Sequence, residues 1–212
     1  SSSAAWHLSK FIDPAKNGTV LPILHLNGYK ISGPTIFGRM KNSDLKSLFK
    51  GYGYEPIIVE GHNDKVYEKM VKALDEAYAS IKAIQKEARE NPNKPREDYY
   101  RFPMIVLKTP KGWTGIKNLK GEKIEGNSQS HQVVGKEMKT DKVELKALDK
   151  WLKSYKFDEL FNPQTGFSKD IEDNMMHAKN IIQEILSERN REQIGVRWPL
   201  FEVEIMTKED AV

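Results

Sequence analysis

Asn27 closes an apolar run and precedes a glycine, in His25-Leu-Asn-Gly-Tyr-Lys30. Its side-chain oxygen is a neutral, hard donor. Mg²⁺ takes one or two protein oxygens of that kind, together with phosphate oxygens and water. A backbone carbonyl of the same turn, such as that of Tyr29, adds a second donor. Lys111 stands between Pro110 and Gly112. That setting is too constrained for a generic solvated lysine, and an ammonium there holds a phosphate as a point charge. His131 lies in Ser128-Gln-Ser-His-Gln-Val133. Imidazole titrates near neutral pH, so it suits hydrogen bonding to a substrate or proton transfer. On spacing alone each residue also has a plainer reading. Asn27 caps a turn, Lys111 is a surface lysine and His131 is an exposed loop histidine. His25, inside an apolar run, reads as a hydrogen-bonded core histidine, and His62 as part of a helix N-terminus. No histidine pair has a zinc spacing. There is no phosphate-binding glycine fingerprint and no nucleophile elbow.

The elements that must position these residues are legible as apolar patterns. Val20–Leu26, Pro56–Glu60 and Pro103–Lys108 are short and almost continuously apolar. That is the pattern of strands buried on both faces of a parallel sheet. Asp64–Arg89 carries Val66, Met70, Val71, Leu74, Ala77, Tyr78, Ile81 and Ile84 at helical spacing, which predicts one apolar face. Asn63 or Asp64 starts this helix and Asn91-Pro92 ends it. A shorter helix over 43–50, closed by Gly51, and a first helix near 3–11 complete the pattern. Strand and helix alternate, so the expected class is an α/β layered sheet with parallel strands. In such a sheet ligands bind beyond the carboxyl ends of the strands. Those ends are His25–Lys30, Glu60–Asn63 and Lys108–Gly115, all polar and all glycine-containing.

Residues 109–140 hold five glycines and few apolar residues, and read as a long irregular segment; in the absence of cofactor 114–139 is expected to be the most mobile or irregular part of the chain. Helices are expected over 142–155 and 171–189. In the latter, the face with Met175 and Ile182 reads as core packing or an interface. The alternating Trp198–Met206 reads as a half-exposed strand.

Composition excludes whole classes. The 212 residues include no cysteine, which removes disulfides, zinc–thiolate sites, iron–sulfur clusters and a cysteine nucleophile. No apolar stretch approaches the ~18 residues of a membrane span, and no basic-then-apolar leader is present. The net charge is +4, from 34 basic and 30 acidic residues. The signs are interspersed, so there is no basic stripe for nucleic acid.

Val20-Leu-Pro-Ile-Leu-His-Leu-Asn-Gly-Tyr-Lys-Ile31, followed by Pro34-Thr35, closely resembles the phosphoketolases, which act on xylulose 5-phosphate and fructose 6-phosphate. Further stretches match in order: Leu48–Pro56, Val59–Gly61, Ile81–Gln85, Pro103–Gly115, Glu125-Gly126, Ser130–Val133, Leu148–Leu152 and Glu159–Phe161. The resemblance covers about residues 5 to 162. Family members are several times longer and resemble transketolases. Thiamine diphosphate and Mg²⁺ sit at a dimer interface, between a diphosphate-binding and a pyrimidine-binding α/β domain. The resemblance implies that residues 1–165 are the later half of a three-layer diphosphate-binding domain, and leaves 166–212 as a helix and strand extension of open role.

It further implies cleavage of a ketose phosphate by inorganic phosphate to acetyl phosphate and a shortened aldose phosphate. Asn27 matches the side-chain metal ligand, and Tyr29 the residue whose carbonyl completes it. Gly28 belongs to the same cofactor-binding turn. Lys111 and His131 match the active-site lysine and histidine. The departures are as informative. The Gly-Asp-Gly motif that supplies an aspartate ligand is absent, as are the upstream histidines and the pyrimidine-binding domain with its glutamate. Ser1-Ser-Ser3 reads as a cut edge. The expectation is a fragment of a cytoplasmic, homodimeric enzyme, inactive alone and binding neither thiamine diphosphate nor Mg²⁺ alone. The alternative is a non-catalytic binding or regulatory module that reuses the half-domain. Neither nucleic acid nor a membrane is an expected partner.

Overall fold

Pro22 has no amide hydrogen to donate to a ladder, and the first strand, β1, begins just after it, at Ile23–Leu26. The computed structural model describes residues 3–94, 100–131, 135–164 and 166–191. After β1 come α1 (Asn42–Tyr52), β2 (Tyr54–Glu60), α2 (Lys65–Glu90) and β3 (Phe102–Lys108). The three strands form one sheet in the order β1-β3-β2, and both pairings are parallel. The register sets Leu26 and Glu60 each opposite Lys108, so all three strands end together.

The helices lie on opposite faces. Successive strand side chains point to opposite sides. Phe102, Met104 and Val106 of β3 pack in one cluster with Leu45 and Phe49 of α1. Ile105 packs in the other with Val66 and Ala73 of α2. Burial on both faces therefore describes β3, where Phe102 to Val106 are all buried. It does not describe β1, an edge strand whose Ile23 is 48% exposed. His25 is exposed too. It is hydrogen-bonded, as expected, but is not a core residue.

α2 also differs from the single apolar face of its pattern. Val66, Ala73 and Ala77 are buried, and their small size lets the helix approach the sheet closely. Val71 and Tyr78 form a second stripe and are more than half exposed. α1 runs past Gly51 and is closed by Gly53, at φ 98°. Its amide donates to the Lys50 and Phe49 carbonyls, the left-handed cap that glycine permits. Residues Ser3–Phe11 form a 3₁₀ helix rather than an α-helix, and lay Trp6 edge-on against Phe49, with centroids 5.0 Å apart.

Beyond β3 the chain is irregular but anchored. A two-residue hairpin, β4 (Asn118–Leu119) and β5 (Glu122–Lys123), is followed by a 3₁₀ turn at Ser128–His131 and by α3 (Lys142–Lys153). Ile116 and Ile124 are buried. Trp113 stacks near Tyr67 of α2, at 5.4 Å. The Trp151 indole donates to the Thr114 carbonyl at 2.9 Å.

The chain divides into two compact units, Ser1–Trp151 and Leu152–Val212. The second holds α4 (Phe157–Leu160), the hairpin of β6 (Phe161–Asn162) and β7 (Gly166–Phe167), and α5 (Lys169–Arg191). Met175 and Ile182 of α5 are both 57% exposed, so that face is not core. The strand expected over 198–206 lies outside the described residues.

Candidate active site

The three strand ends enclose a cavity of about 280 Å³. Asn27 and Gly28 line it after β1, Glu60 and His62 after β2, and Lys108 and Thr109 after β3. The His25 ring nitrogen Nε2 is 2.8 Å from the Thr109 hydroxyl, which ties the first and third ends together.

The Asn27 turn is built from its own polar groups. The Asn27 Oδ1 accepts the Tyr29 amide at 3.1 Å. Gly28 sits at φ 83°, in the left-handed region. Its carbonyl accepts the Thr35 amide at 2.9 Å. Gly38, in a 3₁₀ turn at Phe37–Arg39, passes so close that an added Cβ would stand 2.7 Å from that carbonyl oxygen. The plainer reading of Asn27, a turn cap, is therefore true of it, yet it uses only one lone pair of the amide oxygen.

Lys111 comes to the same turn. It is 8% exposed, and its ammonium donates to the Lys30 carbonyl at 3.1 Å. It has no carboxylate partner among the described residues. Lys108, three residues earlier, is the contrast. Its ammonium meets Glu60 at 3.1 Å and the Asn42 oxygen at 2.7 Å, while the Asn42 amide donates to Glu60 at 3.0 Å. These contacts, led by the Asn42 amide, hold the Glu60 carboxyl below the usual carboxylate range. Lys108 is satisfied within the chain. A buried ammonium whose one partner is a neutral carbonyl calls for an anion from outside.

His131 is brought in by the turn that carries it. Gly112 lies at φ 74°, and a Cβ there would stand 2.7 Å from the Ser130 Cβ. The 3₁₀ turn thus rests directly on the bend after Lys111. The Gly126 amide adds a hydrogen bond to the Lys111 carbonyl at 2.8 Å. His131 follows Ser130 and is exposed, as the plainer reading had it, and its ring makes no hydrogen bond among the described residues. Asn27, Gly28, Tyr29 and Lys111 are thus gathered by direct contacts, and His131 is one residue from such a contact.

Sequence reasoning passed over the Glu60–Lys108–Asn42 set. Its signal was two apolar runs ending in opposite charges. It also passed over Glu125, which carries a buried carboxylate oxygen with no partner among the described residues. No group of three His, Asp or Glu side chains able to hold a metal exists among the described residues. The donors at this edge are one neutral amide oxygen, backbone carbonyls and one ammonium. That set fits a cation that arrives with phosphate oxygens better than a bare cation.

The XFP N-terminal domain family matches residues 2–190. The chain is 48% identical over 161 residues to a probable phosphoketolase of Bradyrhizobium diazoefficiens, covering 76% of this chain and 20% of that protein. It is 50% identical over 161 residues to probable phosphoketolase 1 of a Nostoc species, with the same shares of 76% and 20%. It is 46% identical over 172 residues to the xylulose-5-phosphate phosphoketolase of Lactiplantibacillus pentosus, covering 81% of this chain and 21% of that one. The chain spans about a fifth of the length of the curated relatives it matches.

Proposed function

The chain belongs to the phosphoketolase family, and from that premise we propose that it forms part of an enzyme that cleaves a ketose phosphate with inorganic phosphate. The products are acetyl phosphate, a shortened aldose phosphate and water. Xylulose 5-phosphate, fructose 6-phosphate or both are the substrates. The α/β unit takes the role of a thiamine diphosphate-binding domain, of which residues 1–165 form the later half. The observation that carries this reading is Lys111, buried at 8% exposure with only a neutral oxygen for company. Sugar phosphate, inorganic phosphate and a cofactor diphosphate all bring the anionic oxygen it lacks.

The remaining lone pair of the Asn27 amide oxygen and the Tyr29 carbonyl would hold Mg²⁺ on one side, and the diphosphate would supply further oxygens. Thiamine diphosphate, when bound, supplies the nucleophilic carbon and the electron sink that breaking a carbon–carbon bond next to a ketone requires. Gly28 lets backbone approach the diphosphate closely, since no Cβ stands in the way. Lys111 orients the phosphate oxygens and offsets their charge in a setting with little water. His131 takes up or returns a proton at a substrate hydroxyl. The matches do not favour the alternative of a non-catalytic module. We further read the full-length protein as a cytoplasmic homodimer.

The test is direct. The full-length protein is supplied with each ketose phosphate, inorganic phosphate, thiamine diphosphate and Mg²⁺, and acetyl phosphate is trapped with hydroxylamine. Hydroxamate that appears only with all components is the expected result. Its absence with both sugars overturns the reading.

A further inference from the structure

The hairpin between β4 and β5 turns on Lys120-Gly121, both at positive φ, 51° and 84°. A two-residue hairpin of this kind favours asparagine or glycine at its first position, because both central residues are left-handed. Lysine is a poor choice there on conformational grounds. Its ammonium accounts for it. It meets the Glu144 Oε1 at 2.7 Å and the Asp141 Oδ2 at 2.6 Å. Asp141 also accepts the Val143 amide at 2.7 Å, and so caps α3 and fixes the acid pair. Glu144, in the first turn of α3, is only 6% exposed. Its second oxygen, Oε2, accepts the backbone amide of Glu137 at 2.8 Å.

One carboxylate therefore holds both Lys120 and the Glu137 amide, which stand on either side of His131 in the sequence. We infer that Glu144 is the positioning residue for His131, its two oxygens holding Lys120 on the N-terminal side and the Glu137 amide on the C-terminal side so that the histidine is presented beside Lys111. Glu144 itself touches no reacting group. The inference rests on the functional reading above only in giving His131 a chemical role.

The experiment uses the full-length protein with Glu144→Gln, Lys120→Met and Lys120→Arg. Two quantities are read: carbethoxylation of His131 by diethyl pyrocarbonate, followed by peptide mass spectrometry, and kcat for acetyl phosphate formation. Glu144→Gln is expected to change the modification rate of His131 threefold or more and to lower kcat fivefold or more, with thermal melting nearly unchanged. Lys120→Met, which leaves Glu144 in place, moves both quantities the same way by a smaller factor. It carries the test if Glu144→Gln fails to fold. Lys120→Arg keeps the ion pair and restores both. An unchanged modification rate in Glu144→Gln or, where that variant does not fold, in Lys120→Met overturns the inference, whatever happens to kcat. Full kcat in His131→Ala instead overturns the role of the histidine, and the modification rate still reports on the clamp.

Discussion

Two lysines three residues apart have opposite fates. Lys108 gives its charge to Glu60 and Asn42, and Lys111 meets only the neutral Lys30 carbonyl among the described residues. In the full-length enzyme, Lys111→Met keeps the buried stem and removes the cation. Turnover should fall tenfold or more, about 1.4 kcal/mol of transition-state stabilisation or greater, with little change in melting temperature. His131→Ala should fall by a similar factor. Initial rates of acetyl phosphate formation, set beside thermal melts, check both. Glu60 gives a pH prediction. Its carboxyl is held low by Asn42, Lys108 and Lys69. A depressed folded pKa contributes stability above the ordinary carboxylate range and loses it as pH falls through the folded value. The melting temperature of the wild type should therefore drop more steeply below about pH 4.5 than that of Glu60→Gln. Parallel slopes would count against the ion pair.

Among the elements, β3 was readable because a strand buried on both faces has no polar positions to hide it, and β1 and β2 because their short runs are rich in apolar residues. The helices were readable because small and large apolar residues recur at their period. What stayed hidden has physical causes. His25 is exposed because it lies on the sheet face that α2 covers mainly at β2 and β3, whereas Leu26 on the opposite face of β1 is buried, and which strands a helix covers is not encoded in a single apolar run. The anchoring of Lys120 was invisible because Lys120 and Glu144 are 24 residues apart and obey no period. The gathering of Asn27 and Lys111 followed from the rule of strand ends. The support beneath His131 did not, because it depends on Gly112 having no side chain where Ser130 sits. Two variants test the element scale. Phe49→Ala empties the centre of the α1 face, and should cost about 3–5 kcal/mol in urea unfolding. Ala77→Leu pushes α2 off its face, and should cost about 1–3 kcal/mol.

At the scale of the whole molecule, the sheet is assembled out of sequence order. β1 and β2 never touch, and each pairs only with β3, which comes last. Among the described residues, neither strand has a partner until residues 102–108 exist. During synthesis, the 82 positions from Leu26 to its partner Lys108 take roughly 4–16 s at ~5–20 residues per second. Through that interval β1 lacks its β3 partner. Distance along the chain is not what ranks the two pairings. Closing the longer loop adds only about 0.5 kcal/mol of entropy. The ranking comes from seven register pairs between β2 and β3 against four between β1 and β3. The β2–α2–β3 stretch should therefore form first on refolding, and β1 should dock last. Pulsed hydrogen exchange should show the amides of Ile57 and Val59, which face β3, protected before those of Leu24 and Leu26. The turn that bears Asn27 follows directly on β1, so this corner of the site takes shape only after β2, α2 and β3 are in place.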